Sequence, residues 1–354
     1  MTHHNLTIEA FVKLGDFLRT FCEFITSDNN SEHLNHKWTA RFKTEIEMAQ
    51  HYNGWFSEEN CIHAFQEWGN LLTRKNLEAW LKNYELTSNK EKVVALIMAG
   101  NIPLVGFHDL LCVLITGNKA LVKLSSNDQK LIPLIIDYLK SIEPFFEERV
   151  MFTKEKLEHY DAVIATGSNN TARYFEYYFG EKPHIIRKNR NSVAVLNGNE
   201  SKEELTALGE DIFRYFGLGC RSVSKIFIPT NYDIDTFFKA MFPYNHIINH
   251  NKYANNYDYN KAVYLMSEFK ILDNGFLILK EENSYGSPIA SLFYEFYNNS
   301  EELKTKLKLE EDKIQCIVSS GFIADEISFG QTQKPSLGDY ADGIDTVNFL
   351  LGTS

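Results

Sequence analysis

From residue 92 onward, runs of branched apolar residues alternate with stretches of helical patterning, and this alternation is the main organising signal in the chain. VVALIMAG (93–100) is apolar up to its terminal glycine, as in a strand covered on both faces. Similar runs follow at ALVKL (120–124), DAVIA (161–165) and SVAVL (192–196), with helix-like stretches at 103–116, 127–142 and 169–179. This repetition predicts an α/β fold built on a parallel sheet with right-handed crossovers. Residues 1–90, rich in Trp, Phe, Asn and charge with helical spacing as in LEAWLKNYEL (77–86), predict a helical layer without strands.

Downstream, SKEE (201–204) has the Ser-x-x-Glu form of a capping box, followed by apolar positions Leu205, Leu208, Ile212 and Phe216. The predicted helix ends at a bend marked by Gly217 and Gly219, after which KIFIP (225–229) reads as a strand closed by proline. YNHIINHNKYANNYDYN (244–260), dense in Asn and Tyr, reads as a loop, and EELKTKLKLEEDK (301–313) as a solvated helix. No internal repeat is present.

Composition narrows the function classes. With 354 residues and 44% hydrophobic content the chain can bury a full core, and its length suggests two domains. A formal charge of −11 argues against a nucleic-acid or anionic-membrane surface, which needs clustered Lys and Arg. No apolar run approaches the roughly 20 residues of a membrane span, and MTHHNLTIEAF lacks the pattern of a secretory signal. Five scattered cysteines (Cys22, Cys61, Cys112, Cys220, Cys316) suit a reducing compartment better than a disulfide framework. A cytoplasmic location is the expectation.

Candidate chemistry lies after the predicted strands, where open α/β sheets bind ligands. No Gly-x-Gly-x-x-Gly follows the first strand, and no P-loop or Gly-x-Ser-x-Gly elbow is present. In ATGSNNTARYF (165–175) the strand runs through Gly167 and Ser168 into a helix, which makes either an anion site or a plain N-cap. Lys123 closes a strand, and Asn101 follows one in AGNIP (99–103). Each has an ordinary structural use as well as a ligand-binding one. Cys220, in YFGLGCRSVSK (215–225), is either a small buried residue or a nucleophile made accessible by the bend. His246 and His250 have i, i+4 spacing but no third ligand, so no metal site is expected.

Taken in order, AGNIP, VKLSS (122–126), ATGS (165–168) and the cysteine at the glycine bend resemble the aldehyde dehydrogenase superfamily, and within it the acyl-CoA reductase family typified by LuxC. The likeness covers residues 90–230 well and GQTQKPSLGDYADGIDTVNFLL (330–351) loosely. It implies a helical region at 1–90 packing on a Rossmann-like cofactor domain at 91–197, and an α/β catalytic domain with a C-terminal tail at 198–354. It also implies that Cys220 is the catalytic thiol and that the Asn101 amide holds the substrate oxygen. Lys123, Ser125 and Ser126 would bind the adenosine ribose side of the cofactor, with Gly167, Ser168 and Thr171 at the pyrophosphate.

Two departures sharpen that expectation. Hydrolytic aldehyde dehydrogenases carry a glutamate base upstream of the cysteine, where this chain has HIIRKNRNS (184–192). Without a carboxylate to activate water, reduction of an acyl thioester is favoured over oxidation to an acid. Arg187, Lys188 and Arg190 in that segment either help hold an anionic cofactor or CoA, or form a solvated basic turn. Relatives specific for NAD often place Glu three positions after the ribose lysine, where this chain has Ser126, whose hydroxyl suits a 2′-phosphate and hence NADP(H). The expected activity is NADPH-dependent reduction of a fatty acyl thioester, on CoA or a carrier protein, to an aldehyde, by a homo-oligomer that an acyl-activating partner protein supplies. Rivals are reduction of an acyl phosphate and a non-catalytic subunit that binds acyl-carrier protein.

Overall fold

The computed structural model describes residues 3–27, 36–86 and 90–352. Chain contacts divide it into two compact units, Met1–Lys188 with Ser336–Ser354, and Asn189–Pro335. The division falls a few residues before the strand at SVAVL, which joins the second unit's sheet, and the last 19 residues return to the first unit.

The first unit opens with four helices, α1 (His3–Thr26), α2 (His36–Tyr52), α3 (Glu58–Leu71) and α4 (Arg74–Leu81). The helical expectation for 28–35 and 87–89 lies outside the described residues. Phe11, Leu14, Leu18 and Phe21 form a fully buried stripe along α1, the repeat expected of one helical face. Rings interlock there: Phe21 meets Phe65 edge-on at 6.4 Å, and Phe11 meets Phe107 at 6.4 Å.

An all-parallel sheet follows, with β1 (Val93–Ile97), α5 (Phe107–Ile115), β2 (Lys119–Lys123), α6 (Leu131–Ile142), β3 (Val150–Phe152), β4 (Ala162–Thr166), α7 (Asn169–Phe179) and β5 (His184–Arg187). Its order is β3-β2-β1-β4-β5, so the winding direction reverses between β1 and β4. The four apolar runs are strands, as predicted. The short edge strands β3 and β5 escape prediction, since β3 is three residues with two exposed and β5 ends in arginine.

Arg187 departs from both readings of 184–192, being neither a cofactor-binding nor a solvated basic residue. It is 4% exposed and donates to Asp109 Oδ1 at 2.6 Å, to Ala341 O at 2.5 Å and to Thr346 Oγ1 at 3.0 Å. Its work is to tie β5 and α5 to the returning C-terminal segment, which ends in the helix Thr346–Gly352. Trp80 Nε1 and Tyr84 Oη meet Tyr340 Oη at 2.8 and 2.9 Å and Tyr84 donates to Asp345 at 2.7 Å, so the aromatic N-terminal layer completes the clamp. Lys188 pairs with Glu176, and Arg190 donates to carbonyls of Glu311 and Ile314.

The second unit contains β6 (Asn191–Val195), α8 (Lys202–Phe213), β7 (Val223–Pro229), α9 (Ile234–Met241), α10 (Asn251–Met266), β8 (Ile271–Asp273), β9 (Ile278–Glu281), β10 (Ser291–Tyr297), α11 (Ser300–Leu309) and β11 (Ile314–Val318). Its sheet runs β11-β6-β7-β10-β9-β8, with only the β8–β9 pair antiparallel. The capping box forms as predicted, Ser201 Oγ accepting from Glu204 N at 3.1 Å and Glu204 from Ser201 N at 2.8 Å. α11 presents charge to solvent and plugs Leu303 and Leu307 into a cluster with Val193, Val195 and Phe227.

The segment read as a loop at 244–260 is helical. A 3-10 stretch (Phe242–Asn249) leads into α10, which buries Tyr253, Tyr257, Asn260 and Tyr264 on one face. These polar side chains enter the interior by making bonds, Tyr253 Oη to Phe276 O at 2.9 Å and Asn260 Nδ2 to Ile289 O at 2.9 Å. His250 Nδ1 caps α10 by accepting from Tyr253 N.

Arg187→Met is expected to lower the stability of the first unit by about 3 kcal/mol, because it strands Asp109 without its partner. All four tryptophans (Trp38, Trp55, Trp68, Trp80) lie in that unit. Urea unfolding followed by tryptophan fluorescence checks it, with a lowered midpoint expected and an unchanged midpoint against.

Candidate active site

In the first unit, three loops leave the carboxyl ends of adjacent parallel strands at one level. Ile97 of β1 is in register with Lys123 of β2 and with Ala165 of β4. The loops after these strands carry Asn101, then Ser125 and Ser126, then Gly167 and Ser168, with Thr171 in the first turn of α7. Seven of the eight predicted site residues therefore share one end of one sheet, beside the order reversal where such sheets bind ligands.

Close packing fixes the first two loops against each other. A Cβ on Gly100 would stand 2.8 Å from Ser125 Cβ, closer than real contacts come, and 3.0 Å from Asp128 N, tighter than most. Asp128, 6% exposed, accepts from Leu131 N at 3.1 Å, from Lys130 N at 3.3 Å and from Leu104 N across the gap. Leu104 adopts φ 59°, a left-handed conformation that leucine takes only when its surroundings hold it there. Asn53, from the segment between α2 and α3, donates its amide to Gly100 O and Asn127 O, both at 3.3 Å. The sequence gives no signal for either of these two residues: Asp128 falls in the stretch read as helix-like at 127–142, and Asn53 in the helical layer read for 1–90.

The remaining groups have defined surroundings. Lys123 Nζ donates to Glu155 O at 3.1 Å. Ser125 Oγ accepts from Asn127 N at 3.2 Å, which leaves its proton for a further acceptor, and Ser126 is exposed. Ser168 is the N-cap of α7, accepting from Thr171 N at 3.3 Å, and the two hydroxyls share a bond at 2.9 Å. Asn101 is half-buried.

In the second unit, Cys220 lies on the turn between α8 and β7, which Ser222 N closes by donating to Gly219 O at 3.0 Å. α8 stops at Phe213, short of the predicted Phe216, because Tyr215 (φ 55°), Phe216 (φ 58°) and Gly217 (φ 73°) are all left-handed. Ser192 Oγ, fully buried on β6, donates to Cys220 O at 2.9 Å. Cys220 is the exposed one among the five cysteines. Burial pushes the Cys22 and Cys61 thiols up to about 12 and Cys112 well above its ordinary value, which makes these poor nucleophiles. No group of three or more His, Cys, Asp or Glu placed to hold a metal occurs among the described residues, nor does a helix long and apolar enough to cross a membrane.

Two expectations test the loop packing. Gly100→Ala is expected to cost the first unit about 1–3 kcal/mol, since the new methyl meets backbone and a Cβ; an unchanged urea midpoint would contradict the contact. For Asp128, burial raises the carboxyl pKa more than the backbone N–H bonds lower it. The folded state then binds its proton more tightly than the unfolded one, and the stability it contributes is lost as pH rises through the raised folded value. Asp128→Asn should gain on the wild type as pH rises above the ordinary carboxylate range, and parallel stability-pH curves would count against this.

The chain matches the family model described as LuxC, acyl-CoA reductase, over residues 14–241, a span that includes all eight predicted site residues. No curated protein matches it in sequence. Among solved structures it is similar to aldehyde dehydrogenase 21 from Physcomitrella patens in complex with the reaction product succinate (TM-score 0.64, 11% identity, covering 100% of this chain and 89% of that one). It is also similar to an indole-3-acetaldehyde dehydrogenase complexed with NAD+ (TM-score 0.60, 12% identity, 88% and 72%) and to betaine aldehyde dehydrogenase from Staphylococcus aureus in complex with NAD+ (TM-score 0.55, 12% identity, 87% and 70%). At these identities the likeness carries the fold, an aldehyde-dehydrogenase-like α/β architecture. Since the family match runs over well more than half of its length, the chain belongs to the LuxC acyl-CoA reductase family.

Proposed function

We propose that the protein reduces a fatty acyl thioester to the aldehyde through an acyl-enzyme on Cys220, using NADPH. The observation that carries this reading is the exposure of Cys220 alone among the cysteines, on a turn pinned to β6, in a chain of the acyl-CoA reductase family.

The Cys220 thiolate attacks the thioester carbonyl, and the CoA or carrier thiol leaves with a proton, which conserves one thioester bond. The Asn101 amide is assigned to the oxyanion, where a neutral donor stabilises developing charge without capturing a proton. NADPH, when bound, supplies the hydride that converts the acyl-Cys220 thioester to aldehyde and regenerates the thiolate. Segment 184–192 holds no Asp or Glu, and Arg187 there is committed to Asp109. The acyl-enzyme accordingly has no base from this segment to direct water at it.

The strand-end loops of the first unit fit an anionic dinucleotide. Lys123 supplies a cation, the Gly167–Ser168 turn with Thr171 a helix N-terminus for pyrophosphate, and Ser125 and Ser126 hydroxyl donors for a 2′-phosphate. No carboxylate lies at 124–126 to repel that group.

The test is intact-protein mass spectrometry after exposure to acyl-CoAs of several chain lengths, with NADPH oxidation and aldehyde measured in parallel. An acyl adduct on Cys220, lost in Cys220→Ala with a fall in kcat of about 10³-fold or more, is expected. Absence of adduct, aldehyde and NADPH consumption across chain lengths would remove the proposal. Ser126→Glu is expected to lower the NADPH-to-NADH ratio of kcat/KM by about tenfold, equivalent to about 1.4 kcal/mol; an unchanged ratio would take Ser126 out of the cofactor assignment.

A further inference from the structure

The geometry points to a positioning relay, Asp211 through Thr332 to Arg221, that sets the orientation of the Cys220 turn. It deepens the reading of Cys220 as nucleophile and rests on it. All of its members lie in the second unit.

Cys220 and Arg221 are the two central residues of the turn closed by Ser222 N on Gly219 O. One backbone bond closes a turn of this kind, and its two central residues are held further only by other contacts. The first corner is held by Ser192 on the Cys220 carbonyl. The second is held through the side chain of Arg221, whose Nε donates to Thr332 O at 2.5 Å.

Thr332 is itself immobilised at every polar group. It is fully buried. Its N and Oγ1 both donate to Asp211 Oδ1, at 2.9 and 2.8 Å, and its Oγ1 accepts from Gln333 Nε2 at 3.1 Å. The other Asp211 oxygen accepts from Gly330 N at 2.6 Å. Asp211, also fully buried, stands on the last turn of α8, the helix that leads into the Cys220 turn. Gly330 lets the segment lie that close, since a Cβ there would sit 3.1 Å from Ala207 Cβ and 3.2 Å from Ala207 O, at φ 78°. The relay thus joins α8, the segment 330–333 and the turn into one closed loop of bonds, in which the carboxylate and the guanidinium are the terminal members. None of these residues needs to touch substrate. They act through the backbone that carries Cys220.

Four proteins test this: the wild type, Thr332→Val, Thr332→Ser and Arg221→Met. Valine matches threonine in shape and lacks the hydroxyl, whereas serine keeps it. Thr332→Val and Arg221→Met are expected to speed hydrogen exchange over 219–222, and to lower kcat about 10- to 100-fold with KM for acyl-CoA held, the penalty of a misplaced reacting atom. Thr332→Ser is expected to behave as wild type in both. Iodoacetamide labelling guards against unfolding, since a disrupted core would expose Cys22, Cys61, Cys112 and Cys316, all buried. If Thr332→Val labels at those positions, Arg221→Met decides, its side chain being only partly buried. Unchanged exchange over 219–222 in a folded variant, or a KM change with kcat intact, overturns the relay. Faster exchange in a protein whose wild type takes up no acyl group overturns the functional reading instead and leaves the anchoring of the turn standing.

Discussion

Loops at the ends of parallel strands have no ladder to satisfy their backbone N–H groups, and in this protein carboxylates take that role. Asp128 gathers N–H groups from Lys130, Leu131 and Leu104; Asp211 gathers Gly330 and Thr332; Glu326 gathers Phe322 at 2.8 Å and Ile323 at 3.2 Å, with Ser319 Oγ at 2.5 Å. Each carboxylate closes an irregular segment that would otherwise leave buried donors unpaired. Burial decides the sign of the effect on titration. Glu326, only partly buried, is held below the ordinary carboxylate range because its several donors together outweigh desolvation, whereas desolvation wins for the buried Asp128 and Asp211, whose pKa values rise. The two aspartates are thus retained at an energetic cost, and both lie beside loops that carry proposed catalytic residues.

That placement has a physical rationale. A charged acceptor binds N–H donors roughly twice as strongly as a neutral carbonyl does, so one side chain can hold several peptides in directions that no regular element provides. Leu104 shows the result in the first unit, where a branched residue is kept left-handed three positions after Asn101. A covalent mechanism needs this sort of rigidity, because an oxyanion donor stabilises the transition state only if it already points at the place where charge develops.

The legible parts of the structure are those with strong periodicity or a local chemical signature. The runs at Val93, Ala120, Ala162 and Ser192 are strands because both faces are covered, and the capping box at Ser201 works through contacts three residues apart. β5 was illegible because the partner that draws Arg187 inward, Asp109, lies 78 residues away in sequence. α10 was illegible because Tyr and Asn reach the interior only through bonds to Phe276 and Ile289, which the local sequence does not foretell. The ordered motifs point to Cys220, Asn101 and the proposed cofactor loops, yet the residues that hold these segments, Asp128, Asn53, Ser192 and Thr332, are of types common in any turn. Their roles follow from burial and from partners remote in the chain.

The same distinction bears on the strained stretch before Cys220. Left-handed backbone costs non-glycine residues roughly 1–2 kcal/mol each, and here Tyr215 and Phe216 adopt it in succession. Such a run persists only where packing over-determines it. Both side chains are buried, and the Phe216 ring lies 4.2 Å from the His250 ring and 6.3 Å from that of Tyr253. The buttress is therefore the first turn of α10, capped by the same His250. This gives the Asn- and Tyr-rich segment a reason to be helical beyond its own stability. Its N-terminus holds the chain in the conformation that ends α8 early and delivers Cys220 to an exposed turn, where continuation of the helix would carry the cysteine on round the helix axis.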